Sequence, residues 1–266
     1  MAAAELGHRH PETQRLRALL REPATRRSES AFVLEGPRLV ADALDRGVAL
    51  EAVYVGVNAD RAFAELLVRV RAAGVPVHGL KEGVLEKLGS TRTPQPVLGV
   101  AAIPASVPVG DLTSGLVVVT VGVQDPGNLG TIVRSAEAAG AVAVVVGRGE
   151  HGVDPWNPKV VRGSAGAVLG IPVTTVDDPA EALRSLRARG FRTVGADAAG
   201  SRPYTDAELL GACALVIGSE AHGLGDAVTA ELDEIVAIPM AGATESLNAG
   251  VAASILMFEA ARQARG

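Results

Sequence analysis

Five near-continuous apolar runs, at 116–121, 141–146, 193–196, 214–217 and 235–238, punctuate the second half of the chain. A strand with one wet face alternates polar and apolar residues, so a strand apolar at every position must be covered on both faces. Segments with helical spacing lie between and after these runs, at 129–139, 157–163, 178–189, 225–231 and 247–262. Strands of that kind alternating with helices predict an α/β domain in which a parallel sheet is sandwiched between helical layers. The first hundred residues predict a smaller α/β unit. A helix over 11–22 starts on Pro11, where a missing amide proton costs nothing, and an amphipathic helix over 37–46 gathers Leu39, Val40, Ala43 and Leu44 on one face. Helices over 61–72 and 82–88 and strands over 32–35, 52–55, 75–77 and 97–101 complete the unit.

Between the two parts, Pro104, Ser106, Pro108, Gly110, Thr113, Ser114 and Gly115 crowd a stretch without periodicity. Such residues favour turns and disfavour regular elements. The expected organisation is a first domain over 1–103, a linker over 104–115 and a second domain over 116–266.

With 48% hydrophobic and 21% charged residues, the chain is too apolar for disorder. No apolar run reaches the roughly 18–20 residues of a membrane span, and Glu5, His8, Arg9, His10 and Glu12 interrupt any secretory leader. The single cysteine, Cys213, excludes an intramolecular disulfide and a cysteine-rich metal site, and its place in an apolar run makes it core. No membrane partner, no metal and a cytoplasmic location are the expectations. The net charge of −5 excludes a general polyanion binder. Its distribution is uneven, because Arg9, Arg15, Arg17, Arg21, Arg26 and Arg27 face only Glu12 and Glu22 over 9–27. That cluster is either a solvated helical face or a phosphate-contacting surface, for which the forked guanidinium is suited.

Three loops beside the apolar runs share an unusual mixture of glycine with amide, acid or hydroxyl side chains: 124–130, 218–223 and 238–248. Polar loops at the ends of buried strands read as one active site. A competing motif, Gly147-Arg148-Gly149-Glu150-His151-Gly152, has the spacing of a dinucleotide fingerprint, but Asp154, Pro155 and Pro158 prevent the helix that must start there. In the first loop Asn128 is the expected N-cap of a helix that carries Arg134, a lone cation on an otherwise small and apolar helix. Its alternative is a surface salt bridge to Glu137. In the second loop Glu220 is either a turn former or a hydrogen-bonding group of the site. In the third, Ser246 either caps the last helix or serves the site, and Asn248 just inside that helix has less structural reason to be there. Neither a second histidine or cysteine at metal-ligand spacing nor a nucleophile elbow is found.

Residues 128–134, 217–224, and 238–240 with 246–252 resemble, in order, the three motifs of the SpoU (TrmH-type) RNA 2′-O-ribose methyltransferases of the SPOUT class. The resemblance extends to 159–167 and, in the first domain, to Phe32-Val33-Leu34-Glu35-Gly36. It implies transfer of a methyl group from S-adenosylmethionine to a ribose 2′-hydroxyl, a trefoil knot in the second domain, a homodimer formed through that domain, and a first domain like an RNA-binding ribosomal protein. On this resemblance Arg134 is the catalytic arginine, with Asn128, Glu220, Ser246 and Asn248 fixing it and the ribose. The cofactor is expected against Gly195, Ala196 and Asp197, against Gly218, Ser219, Glu220 and Gly223, and against Ile238, Met240, Ser246 and Leu247. Arg9, Arg15, Arg17, Arg26, Arg27 and Arg162 are the expected RNA contacts, and Ala249, Ala252 and Ala253 offer a small-residue face for the dimer. The two-domain layout favours ribosomal RNA of the large subunit; transfer RNA and a self-resistance role in an antibiotic producer are the alternatives. A non-catalytic RNA-binding protein is the rival of a different class, and a nucleotide-dependent oxidoreductase or transferase a more distant one.

Overall fold

Pro11 at the first helical position and His10, whose Nδ1 accepts a hydrogen bond from the Glu12 amide (3.2 Å), start the first helix where the sequence predicts it. The computed structural model describes residues 5–88, 94–148, 152–219 and 222–266. By internal contacts the chain divides into two units, Met1–Pro104 with Trp156–Arg162, and Ala105–Pro155 with Gly163–Gly266.

The first unit runs α1 (Pro11–Arg21), α2 (Pro23–Glu29), β1 (Ala31–Glu35), α3 (Pro37–Asp45), β2 (Leu50–Val55), α4 (Ala59–Ala62), α5 (Ala64–Ala72), β3 (Val77–Gly79), α6 (Val84–Leu88) and β4 (Val97–Ala102). Its sheet has the order β1-β4-β2-β3, with β4 antiparallel to β1 and β2, and β3 parallel to β2. β1 is buried at every position. Ala31 and Val33 join Leu16, Leu19 and Tyr54 in the core, while the Phe32 ring meets Trp156 at 4.8 Å between centroids. Trp156 and the residues through Arg162 therefore belong to the first unit, not with the rest of 116–266. Arg162, near the end of α8 (Pro158–Gly163), donates to the buried Glu35 carboxylate. The departure has a physical cause: a large aromatic ring and a guanidinium find apolar and anionic partners on β1. α2 escapes sequence reading because 23–29 has no apolar face.

The second unit continues with β5 (Leu116–Val121), α7 (Pro126–Ala139), β6 (Ala143–Gly147), β7 (Val173–Val176), α9 (Pro179–Ala188), β8 (Arg192–Ala196), β9 (Arg202–Pro203), β10 (Cys213–Ile217), α10 (Asp226–Thr229), β11 (Glu234–Ala237) and α11 (Ala249–Gln263). Seven strands form one sheet in the order β7-β6-β5-β10-β8-β11-β9, and every pair is parallel. The continuous apolar runs are its inner strands, as expected for a sheet covered on both faces. The outermost strands, β7 and β9, were not legible: Thr174 and Thr175 interrupt the first, and the second is Arg202–Pro203, a pair tolerated at an edge. The 104–115 stretch is not wholly a linker, since Leu112 is in the core of the second unit with Val107 and Val109 packed against it. Cys213 is fully buried, and burial pushes its thiol up to about 12. Among the described residues no helix is long and apolar enough to cross a membrane, and no group of three His, Cys, Asp or Glu side chains is placed to hold a metal.

Candidate functional site

The carboxyl ends of β8, β10 and β11 lie side by side in the sheet, the position where parallel α/β sheets bind ligands. From β10 the chain enters a tight loop. Ser219 N–H donates to the Gly223 carbonyl (3.1 Å), Gly223 N–H to the Ser219 carbonyl (2.9 Å), and His222 N–H to Ser219 Oγ (3.1 Å). Two glycines make this possible. A Cβ on Gly218 would come within 2.5 Å of the Gly223 backbone, and Gly223 has φ +58. Glu220 lies outside the described residues.

The other two loops meet at the starts of α7 and α11. Asp125, not Asn128, caps α7: its Oδ1 accepts from the Asn128 amide (2.9 Å). The Asn128 side chain is thereby released from capping, and its Oδ1 accepts from Nδ2 of Asn248 (2.8 Å). Asn248 in turn caps α11, with Oδ1 accepting from the amides of Gly250 (3.0 Å) and Val251 (3.2 Å). The expectation for Asn128 is thus corrected, and of the two alternatives for Ser246 the capping one is not taken, because the cap of the last helix is Asn248. One amide side chain ends a helix and ties two loops that are 120 residues apart in sequence. The helices approach closely here: a Cβ on Gly250 would sit 3.1 Å from Thr131 Cβ, and Ser135 and Ser254 hydroxyls are 2.7 Å apart.

A cavity of about 420 Å³ opens where these pieces converge. Of the residues expected to hold a cofactor, Ala196 and Asp197 line it from the end of β8, Gly218, Ser219 and Gly223 from the loop after β10, and Ile238, Met240, Ser246 and Leu247 from the segment after β11. Asn248 joins them from the α11 cap. Gly195 does not. It is buried beneath Leu232 and Leu224, whose methyl carbons would lie 2.4 and 2.9 Å from a Cβ there, so packing explains the glycine. Glu245, Ala249, Ala252 and Leu256 also line the cavity. The alanines were expected on a dimer face, but Ala253 is fully buried and Ala249 nearly so within the chain itself. Glu245 had a signal that sequence reading passed over: a carboxylate beside Ser246 in an otherwise apolar and small segment.

Arg134 is exposed on α7 and is not part of the cavity lining. Among the described residues it forms no salt bridge, and the alternative pairing with Glu137 is not made. The arginines expected to contact RNA fare differently. Arg26 is buried (1% exposed) and its Nη1 donates to the Leu19 carbonyl (2.6 Å), which makes it part of the core. Arg15 bridges Glu29 (2.6 Å) and Glu51 (2.7 Å), and these carboxylates hold its guanidinium above its ordinary range against the opposing effect of burial. Arg162 is tied to Glu35. Arg9 and Arg27 are exposed, and Arg17 is half-buried. Of the motif at 147–152, Gly149, Glu150 and His151 lie outside the described residues, and no helix opens at Gly152.

Two family models match the chain: the SpoU rRNA Methylase family over residues 115–258 and an MRM3-like substrate binding domain over 11–99. A curated relative from Mycobacterium ulcerans, called an uncharacterized tRNA/rRNA methyltransferase, is 34% identical over 278 residues, covering 99% of this chain and 87% of its own. An rRNA methyltransferase from Sinorhizobium meliloti, solved with AdoMet bound, superposes with a TM-score of 0.85 at 30% identity, covering 98% of each chain. A second solved structure, an RNA 2′-O ribose methyltransferase, superposes with a TM-score of 0.80 at 31% identity, over 99% of this chain and all of that one. These solved structures share the fold over nearly the whole chain, and the chain belongs to the SpoU family of RNA methyltransferases.

Proposed function

We propose that this protein methylates a ribose 2′-hydroxyl of large-subunit ribosomal RNA with S-adenosylmethionine as methyl donor. The observation that carries the reading is the convergence of the segments after β8, β10 and β11 on one cavity, with the Asn128–Asn248 bond tying its rim to the helix that bears Arg134. The cavity suits the cofactor. Its volume falls in the range of about 300–1,000 Å³ typical of small-molecule sites, and its walls are mostly apolar, with Gly218, Ser219 and Gly223 among the lining residues. A Cβ on Gly218 would close that loop's tight turn. Two solved relatives, one with AdoMet and one named for 2′-O-ribose methylation, support the same donor and acceptor here.

When bound, S-adenosylmethionine supplies a methyl group on a sulfonium. The protein's part is to align a weakly acidic hydroxyl with it, and such alignment can remove about 7–11 kcal/mol of barrier in the most favourable cases. Ile238, Met240 and Leu247, which line the cavity, would shield the bound cofactor from water. Ser246 and Asn248 present a hydroxyl and an amide to the ribose, and Asn128 fixes Asn248 through their hydrogen bond. A guanidinium does not give up its proton in a protein, so Arg134 acts as an electrostatic stabiliser of the oxygen as its proton leaves, and as a fork for the adjacent phosphate. Arg9, Arg17 and Arg27 add phosphate contacts from the first unit. The family resemblance further suggests a trefoil knot in 116–266 and a homodimer. For the latter, Val251 and Phe258, both exposed and seven residues apart on α11, form the apolar stripe. Light scattering at micromolar concentration reads the oligomer directly, and a stable monomer would refute it.

The reading is tested by offering the purified protein labelled S-adenosylmethionine with 23S-type rRNA and with bulk tRNA in separate reactions, then mapping the label. Label in rRNA as an alkali-stable dinucleotide is expected. Label only in tRNA would transfer the activity to the other RNA class, and label on a base would remove the 2′-hydroxyl assignment.

A further inference from the structure

The cavity carries a charge pattern that distinguishes the cofactor before methyl transfer from the cofactor after it. Among its described lining residues are two carboxylates, Asp197 and Glu245, and no lysine, arginine or histidine. Neither carboxylate forms a salt bridge among the described residues, so no described cation neutralises them locally.

Asp197 is held in place. Its amide donates to the Val236 carbonyl (3.0 Å), and its Oδ1 accepts from the Ala199 amide (2.8 Å). Its other oxygen, Oδ2, lies 3.6 Å from the point a Cβ on Gly223 would occupy. The side chain is half-buried, whereas Glu245 is exposed at the cavity mouth. Apolar residues of the same wall, among them Ile217, Val236 and Leu256, lower the local dielectric and so strengthen the field of a fixed charge.

We propose that Asp197, with Glu245 as a weaker second charge, makes this cavity select ligands by charge, holding the sulfonium donor more tightly than the demethylated thioether. The inference rests on the cofactor reading given above. S-adenosylmethionine has a sulfonium, an ammonium and a carboxylate, for a net charge of +1. Moving the methyl to a ribose oxygen, with loss of the hydroxyl proton to solvent, leaves S-adenosylhomocysteine, which is net neutral. A cavity with two unneutralised carboxylates loses attraction at that moment, and the product is released in preference to the donor. Asp197 and Glu245 are then specificity-determining for the cofactor state, without acting on the reacting atoms.

The test is calorimetric titration of the full chain with three ligands: S-adenosylmethionine, S-adenosylhomocysteine and sinefungin, which has an amine where the sulfonium methyl stands. The wild type should bind the two cationic ligands about three- to tenfold more tightly than S-adenosylhomocysteine. Asp197→Asn keeps the acceptor for the Ala199 amide while removing the charge. It should weaken both cationic ligands about threefold or more and leave S-adenosylhomocysteine within about twofold. Glu245→Gln should do the same to a smaller extent, because solvent screens it. Retained S-adenosylhomocysteine binding also shows that each variant is folded. Equal affinity of the wild type for donor and product would overturn the charge selection while leaving the cofactor reading intact, as would parallel loss of all three ligands in Asp197→Asn. Failure of all three to bind the wild type would overturn both.

Discussion

Two regions of this molecule are rich in polar side chains, and they use them in opposite ways. In α1 and α2 the arginines look like a surface built for phosphate, yet Arg26 is a core residue donating to Leu19 and Arg15 is balanced by Glu29 and Glu51. Arg21 donates to the Lys87 carbonyl (3.1 Å). In the loops of the second unit the polar residues are few, but several are not consumed by the fold. Ser246 and Glu245 are exposed at the cavity, and Arg134 stands exposed on a helix whose other side is packed. Charge density in sequence therefore marks the fold's own needs in one region and leaves the site almost unmarked in the other. What distinguishes functional polarity is that nothing inside the chain has already claimed it.

The comparison breaks most visibly at Arg134. Removing a residue that forms no salt bridge among the described residues should leave stability unchanged and cripple chemistry. Arg134→Ala is expected to lower turnover by about 10²–10³-fold or more, the size of losing one preorganised electrostatic group, with S-adenosylmethionine affinity within a few-fold of wild type. Label transfer and calorimetry on the same preparation decide it. Retained turnover, or lost cofactor binding in a folded protein, would return Arg134 to the surface.

Asn248 sits between the two classes, because the fold claims its Oδ1 and the site claims its Nδ2. Asn248→Ala should cost about 1 kcal/mol through the lost cap, which lowers Tm by about 2–4 °C in a unit of this size, and should also depress turnover. Asn248→Asp separates the roles. It keeps the cap and so should melt near the wild-type temperature, but it cannot donate to Asn128 Oδ1 and should remain slow. If the Asp variant recovers full turnover, the Asn128–Asn248 bond has no part in positioning the site.

Most of the second unit was legible because fully apolar runs admit little besides a covered parallel sheet. β5 matches its expected bounds, and the other inner strands differ by one or two residues at their ends. What was not legible depends on tertiary partners. Asp125 and Asn128 are both good N-caps by residue type, and which of them caps α7 is decided by Asn248, 120 residues away. Gly195 was expected as a cofactor contact on the family resemblance; the Leu232 and Leu224 methyls above it are invisible in sequence. Likewise the segment from Trp156 to Arg162 reads as one more helix of the sheet domain until Phe32 and Glu35 are seen to receive it. In the site itself, the 218–223 and 238–248 loops were found from their composition and the end of β8 only from the resemblance, while Glu245, inside the 238–248 loop, was not singled out as a site residue.

The arginine cluster offers a third division. Arg26→Ala removes the guanidinium that meets the Leu19 carbonyl in a fully buried setting, and an unpaired buried acceptor costs about 1–3 kcal/mol. The expected result is a lower urea midpoint at an unchanged m-value, with RNA affinity per folded molecule and its salt dependence left as in the wild type. A reduced salt slope in Arg26→Ala would mean that the residue reaches phosphate after all.

The smallest effects belong to the arginines that remain at the surface, and they are the ones that sharpen what the first unit contributes. Arg9 and Arg27 are exposed and Arg17 is half-buried, with its Nη1 donating to Gln14 (3.4 Å), a long bond between side chains that solvent can replace. Substituting any of them by alanine should leave Tm within a degree or so, since surface changes away from packed features fall within about 0.5 kcal/mol. Each should weaken RNA binding only a few-fold. The diagnostic is the slope of log K against log salt: every phosphate contact contributes about −0.7 to −0.9 to it, from single strands to duplex. Each variant that removes a real contact therefore makes the slope shallower by nearly one unit, and the triple variant by two to three. Affinity that drops without a change of slope would point to altered RNA shape recognition, and no change in either would reduce the cluster to a solvated helical face, leaving RNA recognition to the loops and Arg134 of the second unit.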